Sequence, residues 1–145
     1  FSRLSNMVPE IIAPVLQGFY AEKIQSENNT VYLPRPEEKD LKIYWNTQNA
    51  KHIENLVNAS NPKHGGAITF LNGSMIRIFE VATLSNPDLP KAVPGTIVKA
   101  NSNDGVIISC ADESYIRLKI VSLNEGYFSG EKMASFGIQE NMTLK

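Results

Sequence analysis

At the start of the chain, apolar positions recur at three- and four-residue spacing: Leu4, Met7, Val8, Ile11, Ile12, Val15, Leu16 and Phe19. That period predicts an amphipathic helix. Pro9 and Pro14 lie inside the stripe, and each removes a backbone donor, so a kinked helix or two short ones are expected. The pattern then stops. Residues 21–48 are polar and contain Pro34-Arg35-Pro36, followed by Glu37-Glu38-Lys39-Asp40. They read as a linker running over a surface and closing in a short strand, where Leu41, Ile43 and Trp45 alternate. A further helix is expected from Asn49 to Ser60, with Ile53, Leu56 and Val57 on one face. Asn46 or Thr47 is placed to cap it, and Asn61-Pro62 to stop it.

From Gly66 onward the period changes to two. Gly66 to Leu71 and Ser74 to Leu84 flank Asn72-Gly73, a strong hairpin signal. A proline-rich loop (Pro87, Pro90, Pro94) precedes a strand from Thr96 to Ala100. Asn103-Asp104-Gly105 turns the chain into Val106 to Ala111, and Asp112-Glu113-Ser114 turns it into Tyr115 to Leu123. In that last strand Ile116, Leu118 and Ile120 alternate with Arg117 and Lys119, which predicts one buried and one wet face. Gly126 to Gly130 reads as a loop, Glu131 to Ser135 as a helical turn, and Gly137 onward as a closing strand. The fold class expected is mainly β with a few helices. Its strands form a small antiparallel barrel, closed or partly open, after a helical and linker segment.

Composition narrows this picture rather than redirecting it. The 145 residues suffice for one domain with a core plus a connecting segment. No apolar run approaches the length of a bilayer span, and the amphipathic start does not read as a signal peptide. The formal net charge of −1 speaks against a strongly basic, self-sufficient nucleic-acid binder, while leaving room for a local basic face. The lone cysteine, Cys110, excludes an internal disulfide and a cysteine-based metal cluster and fits a reducing, cytoplasmic setting.

Candidate chemistry is sparse. His52 and His64 lack a second ligand at diagnostic spacing and read as surface or loop residues, with a phosphate contact the functional alternative for His64. Cys110 falls among strand residues and reads as core. Gly65-Gly66 leads into a strand, so it is a tight turn rather than a phosphate cradle. No catalytic or metal-binding constellation is apparent. The remaining candidate is a basic face. Arg77, Lys99, Arg117 and Lys119 fall on expected strands, with Lys63 and His64 in a neighbouring loop, and a barrel can bring such residues to one side.

Beyond these local signals, the run Tyr32-Leu33-Pro34-Arg35-Pro36-Glu37-Glu38-Lys39-Asp40-Leu41-Lys42-Ile43-Tyr44-Trp45-Asn46 resembles the linker entry of formyltransferases that use 10-formyltetrahydrofolate. Asn61-Pro62, Gly66-Ala67, Phe70, Asn72-Gly73, Ile76-Arg77-Ile78 and Pro94-Gly95-Thr96-Ile97 follow in that family's order, and Glu125-Gly126 and Phe136-Gly137 resemble its closing section. Residues 30–144 are thus similar to the C-terminal domain of the methionyl-tRNA formyltransferase family. Tyr44 and Asn124 depart from the family's usual Asp and Gln.

The resemblance implies an OB-like barrel over residues 30–145. Residues 1–29 would be the end of a catalytic domain plus the start of a linker. It also implies that the family's Asn, His and Asp catalytic set and its folate-binding loop lie in an N-terminal domain absent from this chain. This segment would then bind no cofactor itself, 10-formyltetrahydrofolate belonging to the parent enzyme. Its partners would be initiator methionyl-tRNA and that N-terminal domain, in the cytoplasm and away from membranes. Two alternatives stand beside this one: an accessory or dimerisation domain of an amino-sugar N-formyltransferase acting on a nucleotide-linked sugar, and a stand-alone non-enzymatic binding module.

Overall fold

The computed structural model describes residues 2–19, 34–85 and 88–145, with side chains from residue 7 onward in the first stretch. The chain divides into two compact units, Phe1–Pro34 and Arg35–Lys145. In the first, α1 (Ser2–Leu16) is one helix containing both Pro9 and Pro14, so the alternative of two short helices is not realised. Gly18, at φ 76°, ends it. The Phe19 N–H donates to the Pro14 carbonyl and the Gly18 N–H to Val15, a left-handed cap that satisfies carbonyls of the last turn. Met7, Val8, Ile11, Ile12, Val15, Leu16 and Phe19 are exposed.

The second unit begins with α2 (Glu38–Leu41), a single turn held where the Glu37 N–H donates to the Asp40 carboxylate at 2.9 Å. Residues 34–40 of the expected linker are exposed, as a segment running over a surface would be, and its closing positions Leu41, Ile43 and Trp45 alternate inward as expected. Residues 21–33 lie outside the described residues. Leu41, Ile43 and Trp45 are buried, and the Ile43 N–H donates to the Ile68 carbonyl at 2.8 Å. These closing residues are an anchor in the core. α3 (Ala50–Ser60) is capped by Asn49, whose side chain accepts from the His52 N–H, and not by Asn46 or Thr47. Its buried face is Ala50, Ile53, Val57 and Ser60.

β1 (Ala67–Leu71) and β2 (Ser74–Leu84) form the expected hairpin. Asn72 and Gly73 sit at φ 50° and 82°, the pair of positive angles whose twist matches a two-residue turn between strands. β3 (Ile97–Asn101), β4 (Gly105–Ser109), β5 (Tyr115–Leu123) and β6 (Gly126–Ser129) follow, then α4 (Gly130–Ala134). The sheet is antiparallel in the order β1-β2-β5-β4-β3, with β6 paired to β5. The loop expected from Gly126 to Gly130 is corrected to a strand, because Val121 aligns with Phe128 and Ser122 with Tyr127.

β5 is the spine of the sheet. β2 runs along one edge. On the other, β4 pairs with Tyr115 to Arg117 and β6 with Ile120 to Leu123. Gly130 fits between these two partners, where a Cβ would run into the Leu118 carbonyl oxygen, so no side chain is accommodated there. β5 also carries an irregularity opposite Glu80. Ile116 and Leu118 face the core, but the next inward residue is Val121 (fully buried), and Ile120 is 40% exposed. The expected strict alternation therefore holds only up to Leu118, because an extra residue shifts the pleat by one.

Residues 141–145 touch both edges of this order. Phe70 and Lys145 exchange N–H···O bonds at 2.9 Å, while Ile97 donates to the Met142 carbonyl and Leu144 to that of Gly95. Beneath them the Trp45 indole N–H donates to the Thr69 hydroxyl (2.9 Å), which donates to the Lys145 carbonyl (3.1 Å). The core gathers Ile43, Trp45, Ile53, Val57, Ile78, Ile108, Ile116, Leu118, Val121 and Met133 among others. A smaller cluster of Val98, Ile107 and Tyr115 lies outside the sheet, packed against Leu84, Leu89 and Ala92.

Candidate functional site

The six basic-face candidates sort into two groups on the outer surface of one sheet. Inward side chains on β2 and β5 are Ile76, Ile78, Ile116 and Leu118, which leaves Arg77 and Arg117 pointing outward. Lys99, on β3, and Arg117, on β5, both align with Ile107 of the strand between them. Lys119 is two positions further along β5.

Carboxylates are interleaved with these three cations. The Lys99 ammonium lies 2.8 Å from Asp104, in the turn before β4. The Asp104 carboxyl is held below its ordinary value by the hydrogen bond from Lys99 first, then by that from Asn101, with the charges of Lys99 and Arg117 adding to this. Glu131, on α4, is lowered by its own backbone N–H and the Ser129 hydroxyl, then by Lys119 and Arg117. The Arg117 Nε is shut off from solvent and has no hydrogen-bond partner among the described residues. Three cations and two carboxylates thus share this end of the sheet, leaving a surplus of one positive charge. That surplus suits contact with a phosphate backbone, but it is much weaker than a continuous basic stripe.

Arg77, Lys63 and His64 form the other group. The Arg77 guanidinium donates to the Gly65 carbonyl at 3.2 Å, tying β2 to the loop that carries Lys63 and His64. Lys63 is exposed and His64 half-buried. Gly65 and Gly66 both take φ of 79°, and a Cβ on Gly66 would meet the Ile78 carbonyl at 2.7 Å, so the pair is the tight turn its sequence indicates.

Cys110 is buried and its thiol is pushed up to about 12 by that burial, an inert core residue as its neighbours predicted. His52 is exposed on α3. Among the described residues, no cluster of three or more His, Cys, Asp and Glu is placed to hold a metal ion. No helix among them is long and apolar enough to cross a membrane. Sequence reasoning missed Asp104 and Glu131 as partners of the cations. Asp104 was legible only as a turn residue, and Glu131 reaches the group through α4, whose placement is tertiary.

An antiparallel β domain with a short capping helix and an outward cationic end is thus the class defined by fold and site. The family model described as "Formyl transferase, C-terminal domain" matches residues 36–133. The chain belongs to that family.

Methionyl-tRNA formyltransferase of Geotalea uraniireducens (strain Rf4) is 30% identical over 118 residues, covering 79% of this chain and 36% of that enzyme. The Nitrosomonas eutropha enzyme of the same name is 29% identical over 91 residues, covering 63% and 27%. The chain therefore spans about a third or less of the length of these curated relatives. Among solved structures, HypX from Aquifex aeolicus in complex with tetrahydrofolic acid aligns with a TM-score of 0.63 at 19% identity, covering 95% of this chain and 24% of that one. At that identity the likeness is one of fold.

Proposed function

We propose that this domain is the accessory C-terminal part of a methionyl-tRNA formyltransferase-like protein. It helps to hold the acceptor tRNA while a catalytic domain outside this chain transfers the formyl group from 10-formyltetrahydrofolate. The observation that carries the reading is the convergence of Lys99, Arg117 and Lys119 on one outward end of the sheet, in a chain whose curated relatives are methionyl-tRNA formyltransferases. Phosphate contacts of this kind position a nucleic acid without reading its sequence. Lys63, His64 and Arg77 supply a second contact on the same outer surface. Folate chemistry is assigned to the other domain, and the setting to the cytoplasm.

The test is titration of the chain with initiator tRNA, at low and moderate salt, followed by fluorescence anisotropy. Binding that is salt-sensitive and tighter for the tRNA than for a random single strand supports the assignment. Absence of binding at low salt moves the acceptor to a small amine such as a nucleotide-linked amino sugar, with the domain as scaffold.

A further inference from the structure

The second cationic group has a neighbour the charges alone do not reveal. Tyr127, on β6, is 68% exposed, the most exposed aromatic side chain among the described residues of the Arg35–Lys145 unit. Register places it in one row across the sheet with Ser122 of β5 and Arg77 of β2. Directly paired residues share a face, so Tyr127 and Arg77 look outward together. Phe79, two residues beyond Arg77, meets the Tyr127 ring edge-on, with centroids 5.2 Å apart. The 61–66 loop fixes this arrangement from the other side. Asn61 donates to the Phe79 carbonyl at 2.7 Å, and Arg77 donates to Gly65.

We propose that Tyr127, backed by Phe79, is a stacking platform for an unpaired nucleobase of the bound RNA, with Arg77 and Lys63 drawing in the adjoining phosphates. The inference rests on the RNA reading above and adds a second site to it. A tyrosine ring held by an edge contact presents a flat face at little further entropic cost, and a base stacked on such a ring is bound largely without regard to its identity. Two strand spacings put Arg77 roughly 10 Å from Tyr127 along the sheet, within reach of the backbone of a stacked nucleotide. One Arg77 nitrogen is engaged by Gly65, and the guanidinium has further N–H donors.

The experiment compares the wild-type chain with Tyr127→Ala, Tyr127→Leu and Tyr127→Phe, each titrated with initiator tRNA and with an unstructured oligouridylate at two salt concentrations. Thermal melts report folding. Tyr127→Phe should bind as wild type. Tyr127→Ala and Tyr127→Leu should bind about tenfold more weakly or worse, with an unchanged salt slope, since stacking releases no counterions. Tyr127→Leu keeps apolar area on β6 and guards against loss of the strand itself. Wild-type affinity in both folded variants overturns the platform and leaves the RNA reading intact. Failure of the wild-type chain to bind either RNA overturns both.

Discussion

Two corners of this molecule use polar groups in opposite ways. At one, the buried Trp45 indole and Thr69 hydroxyl form a hydrogen-bonded chain that ends on the Lys145 carbonyl. At the other, Lys99, Asp104, Lys119 and Glu131 gather at the surface around a half-buried Arg117, and the Lys99–Asp104 pair is partly screened by solvent. The first corner ties residues 42–48, β1 and the C-terminal segment into one piece, so its contribution is to stability. The second contributes little to stability, and its charges remain available to a partner. Position on the inner or outer face of the sheet decides which role a polar residue takes.

The largest effect should come from the buried corner. Trp45→Ala removes a 4%-exposed ring from the core, and should cost about 3–5 kcal/mol, read as a large fall in denaturant midpoint. Thr69→Val keeps the shape but strands the Trp45 donor and one bond to the Lys145 carbonyl. Stability should fall by about 1–3 kcal/mol in the same unfolding titration. A cost near zero would show that this polar chain is not what anchors the corner.

At the exposed corner, Asp104→Asn should hardly move the melting temperature at neutral pH. The Asp104 carboxyl is depressed below its ordinary 3.8, so its contribution to stability is fully present above that value. It is lost as pH falls through the lowered folded value. The variant should therefore show a shallower loss of stability in acid melts. Removing this carboxylate beside Lys99 and Arg117 should also tighten RNA binding by no more than severalfold. Weaker binding would mean that Asp104 positions the cations rather than offsetting them.

Much of this contrast is legible in the sequence, and what is not has definite causes. The Asn72-Gly73 hairpin and the limits of β5 follow from local chemistry, as does the burial of Cys110. Alternation alone turns Ile120 inward, because the extra residue in β5 is set by pairing with β2, which the sequence of β5 does not encode. Tyr127 and Phe128, between two glycines, are too short a signal to mark β6 until Val121 pairs with Phe128. Arg77, Lys99, Arg117 and Lys119 are recognisable as outward strand residues. Their separation into two groups depends on cross-strand register, and the offset by Glu131 depends on where α4 packs.

The measurement that bears most directly on the central claim is the salt dependence of tRNA binding by the Arg117→Ala, Lys119→Ala double variant. If these two cations meet the RNA backbone as proposed, their removal should weaken binding and reduce the slope of log affinity against log salt by roughly 1.4–1.8, with little loss of thermal stability. A variant that binds tRNA with wild-type affinity and wild-type slope would contradict the assignment of this end of the sheet to the acceptor.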